Sequence, residues 1–272
     1  MRLRRHWFSG LIGLIVIVFL WAPLVIVAIN SVNSDTLLVS WKGFTTHWYS
    51  QAAHNGTVQS GVKQTMTIAL GSTAISLVLA VTGALWWRRA SPRARRMFDG
   101  LTYLRIMLPE VVFAVALFLL FSKIQFPLGT SAVVIGHVVW NSAYATLIIQ
   151  ARVATLDPAL EDAASDLGAN PWRVFRRVTL PGLLPGIVAA GLLAFTFSFD
   201  DVVTSYFLTG AGTAPLPVVL LSMIRFRITP EINAIGMLVM LFTVSMFAIG
   251  FIAVTQMGRG ARKALALPEV RH

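Results

Sequence analysis

Six long apolar stretches divide this chain of 272 residues. The hydrocarbon core of a bilayer is about 30 Å thick and requires roughly 20 apolar residues of helix. Stretches of about that length cover residues 7–30, 65–87, 101–121, 130–150, 182–208 and 232–256. Only 12% of the residues are charged, whereas an average soluble domain has about a quarter. The sequence therefore predicts an all-α polytopic membrane protein, a single transmembrane domain over residues 1–272 with six transmembrane helices.

Most of the basic residues fall in alternate connections between these stretches. Sixteen of the 22 Lys and Arg residues lie in the N-terminus, the second-to-third and fourth-to-fifth connections and the C-terminal tail. The positive-inside rule then predicts that both termini are cytoplasmic. Topology accounts for the net charge of +11, so the basicity does not predict nucleic-acid binding. Arg105, close to the inner end of the third stretch, is expected to extend its guanidinium to the membrane surface.

Several kinds of chemistry have no support in the sequence. The chain has no cysteine, which excludes disulfides, thiolate metal sites and cysteine nucleophiles. The five histidines are dispersed, so no metal site is predicted; they are His6, His47, His54, His137 and His272. The chain also lacks a Gly-Lys dipeptide and therefore a Walker A phosphate loop. If ATP drives this protein, a separate chain must hydrolyse it.

The connection after the first stretch is rich in aromatic residues. Trp41, Phe44 and Trp48 recur at helical spacing, with Tyr49 beside them. This pattern predicts a short helix in the membrane interface, where Trp and Tyr rings favour one wet and one apolar side. Such a helix serves either as an anchor or as a contact for an external partner.

A charged island over residues 157–181 separates the fourth and fifth apolar stretches. Asp157-Pro158 and Asn170-Pro171 each place a capping side chain before a proline, which is a common start of a helix. Gly168 suits the left-handed residue that follows the end of a helix. Leu180-Pro181 is expected to end the second helix. The charged island is therefore predicted to be a rigid pair of short helices.

The spacing within the charged island resembles the EAA loop by which the membrane subunits of ABC importers engage their ATPases. The shared pattern is an acid, two alanines, a glycine four residues later and a terminal Leu-Pro, with Asp162 in place of the usual Glu and Val178 in place of Ile. By this resemblance the ATPase-coupling residues are Glu161, Asp162, Ala163, Ala164, Gly168, Leu180 and Pro181. Glu161 is a second carboxylate that can substitute for the missing Glu.

Other motifs resemble the second membrane subunit of spermidine/putrescine importers. They are Trp41–Thr45, Leu108–Glu110, Phe197–Val203, Phe207–Gly210 and Pro230–Ala234. The resemblance implies a type I ABC importer permease fold with cytoplasmic coupling helices, in a bacterial inner membrane. It also implies three kinds of protein partner: a homologous permease subunit, two ATPase subunits that use ATP and Mg, and a periplasmic or lipid-anchored substrate-binding protein. The chain itself is expected to contact membrane lipid and to bind no cofactor.

Three acidic residues lie inside the predicted spans, where each charge costs about 2.5–3.5 kcal/mol. They are Glu110, Asp200 and Asp201. Buried carboxylates stabilise ammonium groups strongly, so these acids predict a route for a cation, with Tyr144 and Phe197 adding aromatic contacts. Structural roles remain open: adjacent aspartates lie about 100° apart on a helix, so one of them can serve as a cap, and Glu110 can pair with Arg105.

Two other classes of protein fit parts of this pattern. A polytopic membrane enzyme usually gathers His, Asp or Ser at one membrane face, and a passive channel has no need of an ATPase-docking loop. Among importers, another organic cation or a metal complex is the alternative cargo. Association with an ATPase chain separates the importer from the other two classes.

Overall fold

The computed structural model describes the backbone of residues 2–265 and the side chains of residues 7–256. Regular structure in this part of the chain is helical, apart from one isolated bridge between Asn33 and Phe44. The helices are α1 (Arg2–Ser31), α2 (His47–His54), α3 (Gly56–Arg89), α4 (Pro92–Met107), α5 (Glu110–Lys123), α6 (Thr130–Val153), α7 (Pro158–Asp166), α8 (Pro171–Val174), α9 (Leu180–Phe199), α10 (Val203–Leu208), α11 (Leu216–Phe226) and α12 (Pro230–Leu265). The predicted all-α fold is confirmed. The basic side chains counted at the two ends of the chain lie outside the described side chains; they are Arg2, Arg4, Arg5, Arg259, Arg262, Lys263 and Arg271.

The predicted spans correspond to five apolar helices and one broken pair. Within the described residues, the segments long and apolar enough to cross a membrane are Trp7–Ser31, Gly56–Arg89, Thr130–Val153, Pro171–Phe199 and Pro230–Gln256. The sixth span is the pair α4 and α5, whose axes differ in direction by 100°. Six spans are thus present when this pair is taken as one.

The third predicted span, residues 101–121, is not a continuous helix. The chain breaks at Leu108-Pro109, where both residues have extended backbone angles, with ψ of 129° and 133°. Proline cannot donate the helical hydrogen bond, and its ring disfavours helical angles at the preceding residue. The apolar window concealed this break because hydropathy does not register a single proline.

The fifth predicted span, residues 182–208, is wrong at both ends. At one end α9 stops at Phe199, and the Asp200–Val202 segment separates it from α10. At the other end Leu180-Pro181 does not terminate a helix, because α8 continues through a π-helical turn, Phe175–Thr179, directly into α9. Pro181 removes one backbone N–H donor from this continuous helix, directly after the π-helical turn.

Small residues allow close packing of the helices around the fifth span. The unit centred on residues 61–218 has one core formed by α3, α6 and α9 and a second core that joins α3, α5, α6 and α10. A Cβ atom at Gly136 of α6 would lie 2.8 Å from side-chain atoms of Leu208 and Thr204 in α10. Glycine at this position lets α10 approach α6, which brings His137 next to the break before α10.

A second unit includes residues up to 60 together with residues 219–244. In it, the predicted interfacial helix begins only at His47, and Trp41 and Phe44 precede it in a hydrogen-bonded loop. The carboxylate of Asp35 accepts hydrogen bonds from the backbone N–H groups of Leu37, Val39 and Ser40. These local side-chain contacts compete with helix formation, which explains why the aromatic spacing overestimated the helix.

Replacing Asp35 with alanine is expected to loosen the loop over residues 33–44. Lys42 donates a hydrogen bond of 2.9 Å to Asp35, and this contact holds the pKa of Asp35 well below its usual range. The stabilisation is therefore present above about pH 4, the ordinary pKa of aspartate, and is lost as the pH falls below that value. We expect trypsin to cleave after Lys42 at least about tenfold faster in the variant. Thr36→Ala, at an exposed neighbour, should leave the cleavage rate unchanged, and equal rates in both variants would contradict the role of Asp35.

Candidate functional site

Two of the predicted buried acids meet where the two broken helices face each other. Glu110 is the first residue of α5, and Asp201 lies in the break between α9 and α10. Their carboxyl groups lie close enough to interact electrostatically. The Oδ1 atom of Asp201 also accepts a hydrogen bond of 2.7 Å from the backbone N–H of Ser205, which fixes the start of α10. One of the two adjacent aspartates therefore has the capping role that the sequence left open, and it is Asp201.

A chain of buried polar side chains extends from Asp201 into the protein. His137 Nε2 lies 3.2 Å from Asp201 Oδ1, and His137 Nδ1 lies 2.6 Å from the hydroxyl of Ser198. Ser198 in turn lies 2.9 Å from the hydroxyl of Ser72 in α3. The network joins α3, α6 and α9 to the start of α10. Because buried polar groups are costly when unpaired, it holds these helices in one arrangement.

The order Ser198, His137, Asp201 is that of a nucleophilic triad, but its setting differs from that of an active site. Ser198 and His137 are only 4% and 3% exposed, and the hydroxyl of Ser198 is shared with that of Ser72. A substrate carbonyl cannot reach a nucleophile enclosed in this way. The arrangement therefore acts as a structural connection between helices.

Aromatic rings form a continuous row beside the carboxyl pair. Phe113 and Trp140 have ring centroids 6.3 Å apart, Trp140 and Tyr144 are 5.7 Å apart, and Tyr144 and Phe197 meet edge to face at 5.1 Å. Two predicted route residues, Tyr144 and Phe197, thus contact each other. Asp200, the third predicted acid, is exposed at the end of α9 and lies outside the polar network.

Arg105 was predicted to extend to the membrane surface, and this prediction is wrong. Its guanidinium carbon lies 3.6 Å from the centroid of the Phe113 ring and 4.1 Å from that of Trp140, between the two rings. Its Nε, Nη1 and Nη2 atoms are buried and have no hydrogen-bond partner among the described residues. Cation–π contacts strengthen when water is excluded, so the two rings stabilise the buried guanidinium without its reaching the membrane surface.

Three features of the site were not predicted from the sequence: the roles of His137 and Trp140 and the position of Arg105. A usable signal existed for His137, since a polar residue within an apolar span usually faces a cavity or the bundle interior. His137 and Asn141 are four residues apart, so they lie on one face of α6, and both are buried. No comparable signal exists for the rings that enclose Arg105, because they come from α5 and α6 while Arg105 belongs to α4.

The predicted caps of the charged island are confirmed. Asp157 accepts a hydrogen bond of 2.9 Å from the N–H of Ala159, and Asn170 accepts one of 2.8 Å from the N–H of Arg173. Gly168 follows the end of α7 with φ of +81°, in the left-handed region. Among the predicted coupling residues, Asp162, Ala163, Gly168 and Pro181 are exposed, while Ala164 and Leu180 are half-buried. The charged island therefore consists of capped helices whose exposed surface carries both polar and apolar residues.

Glu161 has a different role from the neighbouring Asp162. Its Oε1 atom accepts hydrogen bonds from Arg88 Nη1 at 2.9 Å and from the hydroxyl of Thr179 at 2.8 Å. These contacts tie α7 to the end of α3 and to the π-helical turn. A cleft of about 550 Å³ lies beside them, lined in part by Trp86, Glu161 and Asp162. Glu161 is thus engaged within the chain, and Asp162 is the exposed carboxylate.

Replacing Glu161 with alanine is expected to destabilise the chain. Both Arg88 and Thr179 lose their acceptor, and Arg88 is left with a half-buried unpaired charge. Loss of a hydrogen bond to a charged group costs about 1.5–3 kcal/mol in the free energy of unfolding. Thermal melting of the purified protein should show a lower midpoint. Asp166→Ala, at an exposed acid of the same helix, should melt like the wild type; a Glu161→Ala midpoint equal to that control would contradict the tether.

Comparison with known proteins identifies the fold and the family. Residues 72–263 match the family described as "binding-protein-dependent transport system inner membrane component". The putrescine transport system permease protein PotI of Escherichia coli strain K12 is 33% identical over 91% of this chain and 89% of its own length. The spermidine/putrescine transport system permease protein PotC of Haemophilus influenzae is 30% identical over 90% of this chain and 95% of its own length.

Solved structures support the same assignment at the level of the fold. A bacterial ABC transporter involved in the import of alginate superposes with a TM-score of 0.71 at 16% identity, over 94% of this chain and 96% of that one. The MetNI methionine ABC transporter superposes with a TM-score of 0.60 at 16% identity, over 72% of this chain and 94% of that one. The chain is a membrane-spanning permease that belongs to the family of inner membrane components of binding-protein-dependent transport systems.

Proposed function

We propose that this chain is one of two permease subunits of an ATP-driven importer whose cargo is a polyamine, putrescine or spermidine. The observation that carries this proposal is the Glu110–Asp201 carboxyl pair next to the aromatic row. Polyamines are flexible cations with several ammonium groups. Carboxylates and ring faces are the groups that stabilise such cations where water is scarce. The names of the similar permeases agree with this chemistry.

The cation route involves Glu110, Asp200 and Asp201, with Tyr144 and Phe197 on its wall. Asp200 is exposed at the C-terminal end of α9, where the negative end of the helix dipole adds to its charge. It is placed to attract a cation, while Asp201 holds the start of α10 in position. The homologous permease subunit forms the other wall of the route.

Transport is driven through the charged island. The exposed Asp162 and Gly168, together with Leu167 at 89% exposure and Trp172 at 66%, provide the surface for an ATPase subunit. The segment Pro171–Phe199 is helical over 29 residues, about 40 Å in length, and it ends at Asp200. A displacement of the island is thereby transmitted along this segment to the break that holds the acidic residues.

The assembly proposed for this chain contains two permease subunits, two ATPase subunits that bind ATP and Mg, and an external substrate-binding protein. The complex lies in the bacterial inner membrane with both termini of this chain cytoplasmic. The chain itself performs no bond chemistry and contributes one half of a gated, negatively charged passage. Another organic cation is the second candidate cargo, since the same carboxylates and rings attract any compact cation.

Uptake by the reconstituted complex tests this proposal. Proteoliposomes are loaded with ATP or ADP, supplied with the binding protein and given radiolabelled putrescine or spermidine. We expect ATP-dependent uptake that each polyamine inhibits competitively and that neutral sugars leave unchanged. Uptake of another cation with no polyamine uptake would contradict the cargo. A permease that purifies without any ATPase chain would contradict the coupling.

A further inference from the structure

The space between Phe113 and Trp140 has the chemistry of a binding site for an organic cation. The two rings come from neighbouring helices, α5 and α6, and their planes are inclined by 41° to each other. A guanidinium lies between them, close to both ring faces. Tyr144 continues the aromatic wall on one side, and the carboxyl group of Glu110 attracts the same cation. Rings around a cation with a nearby carboxylate are a recurrent arrangement for ammonium recognition.

The present occupant makes no hydrogen bond in this site. None of the guanidinium nitrogens of Arg105 has a hydrogen-bond partner among the described residues, although this side chain carries five N–H donors. An arginine with a purely structural role in a protein interior normally satisfies these donors with carboxylate or carbonyl oxygens. An unsatisfied arginine between two rings is therefore exchangeable for another cation.

We propose that Phe113 and Trp140 form a cation-binding cage on the transport route, which Arg105 occupies when no cargo is present and which an ammonium group of the cargo occupies during transport. This inference rests on the proposed function for the identity of the cargo. Two like charges repel strongly at such short distances, so the arginine and the ammonium group exclude each other. Arg105 is a tethered competitor that fills the cage and leaves it when cargo arrives.

Transport kinetics test the competition directly. In the assembled complex, Arg105→Met removes the competing cation and keeps a long apolar side chain, so we expect the KM for putrescine to fall about fivefold. Arg105→Lys keeps a competing cation and should stay within about twofold of the wild type. Phe113→Leu removes one ring face and should raise the KM about fivefold. Phe126→Leu, at a ring paired with Phe121 outside the cage, is the matched control. An unchanged KM in Arg105→Met and Phe113→Leu would overturn the proposal, as would a KM raised equally by both.

A fluorinated phenylalanine at position 113 separates cation binding from packing. Fluorination largely preserves the size of the ring and weakens its negative face, so a site that only needs packing is little affected. We expect the KM for putrescine to rise with each added fluorine. A KM that is independent of fluorination would overturn the cage.

A labelling experiment tests the cage without reference to transport or to the natural cargo. The chain has no native cysteine, so Arg105→Cys introduces the chain's single thiol on α4, at the base of the space that the guanidinium fills between the rings. Its rate of modification by N-ethylmaleimide is measured in the assembled complex, in tetramethylammonium chloride and in sodium chloride at equal concentration. Tetramethylammonium should slow the reaction at least about threefold, because it binds aromatic cages by cation–π contacts. Thr102→Cys, one turn earlier on α4, should react equally in both salts.

Polyamine uptake and cysteine labelling have distinguishable failures. If tetramethylammonium protects the cysteine, and if this protection is lost when Phe113→Leu is added, the cage is supported. A complex that shows this protection but takes up no polyamine would contradict only the proposed cargo. Equal protection with and without Phe113, or no protection at all, would overturn the cage even in a complex that imports putrescine. Copurification of the permease pair with its ATPase verifies that each variant has folded and assembled.

Discussion

Replacing Gly168 with valine is expected to abolish most ATP-coupled uptake while the chain still inserts into the membrane. Gly168 has φ of +81°, a conformation that a β-branched residue adopts only with strain. A Cβ atom at this position would meet no other atom within 4 Å, so the effect is strain in the backbone and not a steric clash. The strain amounts to about 1–3 kcal/mol, and the chain relieves it by changing the direction in which α7 ends.

The measurement is the ratio of substrate imported to ATP hydrolysed in proteoliposomes. Because each 1.4 kcal/mol corresponds to a factor of ten, we expect this ratio to fall at least about fivefold. Gly212→Val is a matched control, since Gly212 has φ of +72° and equally open surroundings but lies far along the chain from the charged island. Gly168→Asn should retain part of the coupling, because asparagine tolerates left-handed angles. Normal coupling in Gly168→Val would refute the docking role of this turn.

Removing the charge of Glu110 is also expected to have a large effect. Glu110→Gln preserves the size of the side chain, and the glutamine amide can donate a hydrogen bond to Asp201 in place of the original contact. The polar network is therefore kept while the negative charge is lost. A hydrogen bond between an ammonium group and a carboxylate is worth about 1.5–3 kcal/mol, so polyamine uptake should fall at least about tenfold.

Asp99→Asn provides the comparison for this variant. Asp99 accepts a hydrogen bond of 3.2 Å from the side chain of Gln150, at a contact between α4 and α6 outside the acidic pair, and asparagine keeps the acceptor. Uptake should stay near the wild-type value. Asp201→Ala, by contrast, deprives Ser205 and His137 of a partner and should lower the melting midpoint as well as uptake. Wild-type uptake by Glu110→Gln would remove the argument for a cation route at this acid.

The features that the sequence predicted correctly depend on residues close together in the chain. The caps at Asp157 and Asn170 act on N–H groups two or three residues away, and Gly168 takes its conformation from its own lack of a side chain. Apolar windows predict spans because every backbone group in a helix is paired within the segment itself. Single residues such as Pro109 interrupt a helix without changing the hydropathy of a window, which is why the breaks in the third and fifth spans were missed.

Relations between helices required the tertiary structure. Glu110 and Asp201 were both selected as buried charges, but their proximity and the link from Asp201 to His137 exist only because α5, α6 and α10 pack together. The sequence left Glu161 free to serve in docking, whereas the structure ties it to Arg88 and Thr179.

The membrane class, the capped charged island and the presence of acids inside the spans could be predicted from the sequence, because hydropathy and caps are local properties. Which of those acids meet, and that a guanidinium lies between Phe113 and Trp140, could be found only from the packed helices. A charge buried in a membrane is stabilised by whatever groups the packing of separate helices brings near it, and the residue spacing within one helix does not specify that packing.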